Sequence, residues 1–140
     1  MNAEDRLAIA ETLALAGHVV DQGDLDRLGT VFTPDAGYDM SAVGMPVVTG
    51  LDAIRAGALG LASRSPVAHH VTNVVVVSEE GEQQASVDSK GLLLMLDGTV
   101  QSVTHHDVLR RGEDGWRIAR RVIVPQRVPL QGLAATPASA

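Results

Sequence analysis

The chain contains no cysteine, which excludes disulfides, thiolate metal ligands and cysteine nucleophiles. Aromatic residues are almost as scarce: Phe32, Tyr38 and Trp116 are the whole set, 2% of the sequence. Single-stranded nucleic acid is bound on aromatic stacking platforms, and this chain has too few to build one. Basic residues are outnumbered, 11 Lys and Arg against 17 Asp and Glu, for a net charge of −6. A phosphate backbone needs a basic face, so nucleic acid is not an expected partner. No apolar run approaches the roughly 18 residues that cross a bilayer, and no basic segment leads into an apolar one at the N-terminus. The expectation is a soluble, cytoplasmic chain with no membrane partner.

What the sequence does have is aliphatic bulk. Hydrophobic residues make up 45% of 140 positions, enough for one domain whose core is Val, Leu, Ile, Ala and Met. Leu7, Ala10, Leu13, Ala14, Gly17 and Val20 recur at helical spacing and predict a first helix from Glu4 to Gln22. Gly23 supplies its stop, and Asp24 caps a second, short helix carrying Leu25, Leu28, Val31 and Phe32. A short strand around Ala36 to Met40 follows, then a third helix from Leu51 to Ser63, closed by Pro66. From Ala68 the period changes to that of strands: Ala68–Ser78, Gln84–Leu96, Thr99–Arg111 and Trp116–Val124, separated by Gly-containing turns such as Asp97-Gly98. Helices first and an antiparallel meander after give an α+β domain over residues 1–125. Both faces of the strands are apolar, so a homodimer through the sheet is expected. Residues 126–140 form a tail, with Val128–Leu133 placed to fold over a pocket and the end expected to be disordered.

Two polar anomalies sit in this apolar frame. His69 and His70 stand side by side at the mouth of a strand that continues as Val74–Val77, and Asp21 falls near the apolar stripe of the first helix. Adjacent residues of a strand face opposite ways, so only one of the two histidines can enter a pocket, and a one-residue bulge would exchange them. His105 and His106 pose the same choice on the third long strand, where His106 is preferred as a pocket residue, and Arg120 and Arg121 pose it on the fourth. Adjacent histidines on a strand lack the spacing of metal ligands, so neither a metal nor another cofactor is expected.

The segments Asp21-Gln22-Gly23-Asp24-Leu25-Asp26-Arg27-Leu28, Phe32-Thr33-Pro34-Asp35-Ala36, His69-His70-Val71-Thr72-Asn73 and Gly115-Trp116-Arg117-Ile118-Ala119-Arg120-Arg121, in that order, resemble the SnoaL-like, scytalone dehydratase-like branch of the NTF2-like superfamily. The resemblance implies a cone of three N-terminal helices on a curved, mostly antiparallel sheet. It also implies an aspartate–histidine pair, matched here by Asp21 and His69, and a substrate-contacting arginine, matched by Arg121. Tyr38 corresponds to the aromatic position of the first strand. Scytalone dehydratase carries tyrosines where this chain has Val20 and Met40.

The chemistry implied is cofactor-independent acid/base catalysis of the lyase, isomerase or cyclase type, dehydratases and polyketide cyclases being members. His69 would act as base, Asp21 would orient it, and Arg121 would stabilise negative charge. Tyr38, Met40, His106 and His70 stand as substrate-binding candidates, with His70 also the reserve base. The pocket lining should be Val, Leu, Met and Ala, suited to a small, largely apolar metabolite such as a polyketide-like intermediate. Two rivals share the fold: a non-catalytic binding module, in which Asp21 and His69 would lie more than about 4 Å apart with no bridging water, and an epoxide-hydrolase-like hydrolase.

Overall fold

The structure, a computed structural model, describes residues 1–135; the expected disorder at the end of the tail falls on residues 136–140, outside the described residues. Helix α1 spans Ala3–Asp21. The Asn2 side chain accepts a hydrogen bond from the Asp5 N–H at 2.8 Å and so satisfies one open donor of the first turn. Gly23, at φ +66°, terminates it beyond Gln22. Ile9, Leu13, Ala16 and Val19 form the buried stripe, while Leu7 is 69% exposed. The helix is apolar nearly all round, so its spacing does not single out the inward face.

The second expected helix is a single 3-10 segment, Leu25–Thr30, and Phe32 belongs instead to strand β1, Phe32–Asp39. After β2 (Val48–Thr49) comes α2 (Leu51–Gly60), shorter than expected and continued by a 3-10 turn at Ala62–Arg64. The long strands are β3 (Ala68–Glu80), β4 (Gln84–Leu94), β5 (Val100–Gly112) and β6 (Gly115–Gln126). They form one six-stranded sheet in the order β2-β1-β6-β5-β4-β3. Only the β1/β6 pair is parallel. This is the α+β cone, with the helices on one face of the sheet.

Strand β3 is bulged between Thr72 and Val75, where Asn73 takes φ +55°, and again between Val76 and Ser78. Each bulge resets the alternation and bends the strand around the helices. Ala85 and Val87 of β4, Leu109 of β5 and Ile118 of β6 pack under Ile9 and Leu13 as a fully buried core. Polar links at Trp116 help fasten α1 to the sheet: Trp116 Nε1–H donates to Asp5 Oδ1 at 3.0 Å, and Thr12 Oγ1–H donates to the Trp116 carbonyl at 3.0 Å. No helix among the described residues is long and apolar enough to cross a membrane.

Beyond β6 the chain forms a 3-10 segment, Pro129–Ala135, with Leu130, Gln131 and Gly132 all at positive φ. Gln131 lies with Val75, Lys90 and His106 on the sheet face away from the helices. None of Val128–Leu133 lines the pocket described below, whose wall ends at Arg127, so the expected cover is not formed by these residues.

Candidate active site

The end of α1 presents Asp21 to the first residues of β3. Its Oδ1 lies 2.5 Å from His69 Nδ1, and its Oδ2 accepts the His69 backbone N–H at 2.9 Å. One carboxylate thus holds both the ring and the main chain of His69. With Nδ1 committed to Asp21, Nε2 is the free ring nitrogen. The two side chains retain 22% and 25% of their exposure, so the pair is reachable and not sealed in the core. Helix and strand approach this closely because position 17 carries no side chain. A Cβ added to Gly17 would stand 2.9 Å from the His69 carbonyl oxygen.

His69 lines a cavity of about 710 Å³ enclosed between the helices and the inner face of the sheet. Tyr38 and Met40 reach it from β1 and the residue after it, and Phe32, Leu28 and Ile54 form its inner wall. Tyr38 packs edge-on against Phe32 with ring centroids 6.0 Å apart. Burial raises the phenol pKa above its ordinary value; the nearby Arg121 charge opposes that rise and Asp107 adds to it.

Arg121 and His105 complete the polar wall. Arg121, 6% exposed, is held through two parallel hydrogen bonds to Asp107, Nε–H to Oδ1 at 2.8 Å and Nη2–H to Oδ2 at 2.9 Å. Burial alone would lower the guanidinium pKa, but the Asp107 charge and hydrogen bonds outweigh it and leave the value raised. His105 is 4% exposed, with Nδ1 3.4 Å from Ser89 Oγ. Burial first, then the charges of Arg121, His69 and His106, depress its pKa from 6.5 to about 2, so the ring is neutral. Room for it comes from Gly91, where a Cβ would meet His105 Cε1 at 3.0 Å and Val103 Cγ2 at 2.8 Å.

Several expected site residues lie elsewhere. It is His105, not His106, that lines the cavity; His106 points to the outer face and pairs with Asp88 at 2.7 Å. The neighbours decide the parity: Val103 and Leu109 are buried on the His105 side, whereas Thr104 and Arg110 share the His106 side. That contrast was available in the sequence as apolar against polar. His70 is exposed and outside the cavity lining, because the β3 bulge falls after Thr72, too late to exchange it with His69. Arg120 also faces outward, 3.7 Å from Asp39. Asp107 was not anticipated as Arg121's partner, though the two are register neighbours across β5 and β6. Among the described residues no three His, Asp or Glu side chains converge as a metal site would require.

The sequence matches the SnoaL-like domain family over residues 1–122. It is 32% identical over 127 residues to an uncharacterized protein of Mycobacterium tuberculosis, covering 84% of this chain and 83% of that protein. Among solved structures it is similar to a Novosphingobium aromaticivorans protein proposed to be an aromatic ring hydroxylase, with a TM-score of 0.78 and 30% identity over 91% of this chain and 93% of that one. An NTF2-like protein with a cystatin-like fold from the same organism superposes with a TM-score of 0.76 at 25% identity, covering 96% and 90% of the two chains.

Proposed function

The chain belongs to the SnoaL-like family of the NTF2-like superfamily, and on that footing we propose that it is a cofactor-independent acid/base enzyme acting on a small, largely apolar molecule. One observation carries the reading: a cavity-lining imidazole whose Nδ1 lies 2.5 Å from a carboxylate oxygen, leaving Nε2 free. Nε2 of His69 removes a proton from a substrate carbon. Asp21 accepts the Nδ1–H hydrogen bond throughout and stabilises the imidazolium as it forms. Arg121 presents its remaining N–H groups to the negative charge that develops on the substrate. Because Asp107 already balances its charge, Arg121 acts as a fixed, oriented donor and not as a free cation. Proton transfer of this kind contributes on the order of 10²–10⁴-fold in rate. Elimination, isomerisation and ring closure all begin this way. The neighbour proposed to act on aromatic rings supports a ring-bearing substrate.

The test is carbon-bound proton exchange in D₂O, followed by mass spectrometry over a panel of cyclic ketones and hydroxyketones. The native protein should exchange at least one of them, and His69→Ala and Asp21→Asn should each slow it by two or more orders of magnitude. If both variants exchange at the native rate, the mechanism is wrong. Ligand binding with no exchange by the native protein would instead mark a binding module.

The outer sheet face supports a homodimer. Val75 and Val77 are 57% and 60% exposed there and Leu92 43%, around the His106–Asp88 pair. Sedimentation should give twice the chain mass, and Val75→Lys should shift it towards the monomer.

A further inference from the structure

The mouth of the cavity carries charge that no carboxylate among the described residues pairs with. Arg64 precedes β3 and Arg127 follows β6, and both line the cavity while remaining exposed. Strand register puts them at the same end of the sheet: Ala68 pairs with Leu94, Leu94 with Val100, and Ser102 with Gln126. Every other arginine reaches a carboxylate within 4.0 Å, from Arg6 on Glu79 to Arg121 on Asp107. Arg64 and Arg127 have no such partner among the described residues. No Asp or Glu lines the cavity either, in a chain that has 17 of them. A net charge of −6 makes two unbalanced guanidiniums at one opening a local reversal of the protein's field, which draws anions to that opening and away from the rest of the surface.

From this we infer that the ligand is a carboxylate-bearing molecule, its apolar, uncharged body inside the cavity and its carboxylate at the mouth between Arg64 and Arg127. The interior offers an anion no comparable site. Arg121 is charge-balanced by Asp107, and His105 is buried against Ser89. The planar fork of a guanidinium matches a carboxylate in two-point geometry, and Gln101 and Ser65, which also line the cavity, add polar groups. The inference deepens the reading of this cavity as the substrate site, but its test measures binding and not turnover. It therefore stands or falls separately from the His69 chemistry.

Calorimetric titration of the full chain with naphthoate and with its neutral counterpart, naphthalenemethanol, provides the test. Solvent-exposed ion pairs are each worth up to about fivefold in affinity, so naphthoate should bind about tenfold tighter than the alcohol in low salt, and 0.5 M NaCl should erase most of that margin. Arg64→Gln and Arg127→Gln should each remove part of the preference, and the double variant all of it, with the affinity for the alcohol unchanged. The unchanged alcohol affinity also shows that the double variant is folded. His69→Ala should keep the preference. Equal binding of the two ligands to the native protein, no binding of naphthoate, or a preference that survives in the double variant would each overturn the inference.

Discussion

His105 makes the structure testable without a substrate. Its pKa is depressed to about 2 in the folded protein, chiefly by burial and then by the positive charges of Arg121, His69 and His106, against about 6.5 when unfolded. Between those values the unfolded chain binds a proton that the folded chain refuses, so stability must rise with pH across that window. The contribution is intact above pH 6.5 and is lost progressively as pH falls from there towards about 2. The linkage relation puts the loss at about 1 kcal/mol at pH 5.8 and about 3 kcal/mol at pH 4, on the far side of the isoelectric point near 5.2. His105→Asn retains a polar atom near Ser89 Oγ and removes the titrating ring. Urea unfolding of both proteins at pH 7.5, 5.8 and 4 isolates the term, because every other acid-sensitive group is common to both. Relative to its own value at pH 7.5, His105→Asn should lose less stability than the native protein by those amounts. Parallel curves for the two proteins would mean that the ring protonates in the folded state as easily as in the unfolded chain, and that it is not the buried neutral wall described.

Two further substitutions probe the supports of the site. Asp107→Asn leaves the buried Arg121 without its counter-charge and should cost about 3–5 kcal/mol in urea unfolding, whereas replacing both by apolar residues (Asp107→Leu with Arg121→Met) should recover most of it; a loss below about 1 kcal/mol for Asp107→Asn would show that Arg121 is solvated. Gly17→Ala gains about 1 kcal/mol of helix propensity but drives a methyl against the His69 carbonyl at 2.9 Å, an overpacking cost of about 1–3 kcal/mol. The net of these is a loss of about 0–2 kcal/mol, so its melting temperature should hold or fall by several degrees while proton exchange falls markedly, since the clash acts on the Asp21–His69 contact; unchanged exchange would remove Gly17 from the positioning role.

The fold was legible because its signals are periodic and local. Strand lengths, the Asp97-Gly98 turn and the order of helices before strands all follow from spacing and turn chemistry, and observed strand ends differ from the expected ones by only a few residues. The contact between Asp21 and His69, 48 residues apart, came from family resemblance and not from any local pattern. What could not be read was phase. Helix α1 has apolar residues on most of its circumference, so Leu7 looked inward and is not. Strands β3, β5 and β6 each carry a doublet, and a doublet states that one member enters the cavity without stating which. Bulges, the usual source of such errors, lie at Thr72/Val75 and Val76/Ser78 in β3 and at Val108/Leu109 in the β5/β6 pairing, so neither histidine doublet is split, and the choice rests on the residues two positions away.

That distribution of phases divides the polar residues into three groups with different work to do. Asp21 and His69 keep about a quarter of their exposure, so the pair stays accessible at the cavity. His106 and Asp88 pair on the outer face, half exposed, where an ion pair is worth at most about 1 kcal/mol. Asp107 and Arg121 are buried, and such a pair is a poor stabiliser, since apolar residues of the same volume would serve the core as well or better. Their retention beside His105, on the wall His69 also lines, is accounted for if the cavity needs oriented donors that carry no net charge. An oriented donor of that kind, Arg121, donates to a neutral oxygen on the body of a ligand and repels neither it nor a carboxylate outside. The unbalanced charge at Arg64 and Arg127 is then the part of the described wall that favours a ligand with a full negative charge over a neutral one. For that reason, removing those two arginines should change selectivity, while removing Asp107 should change stability.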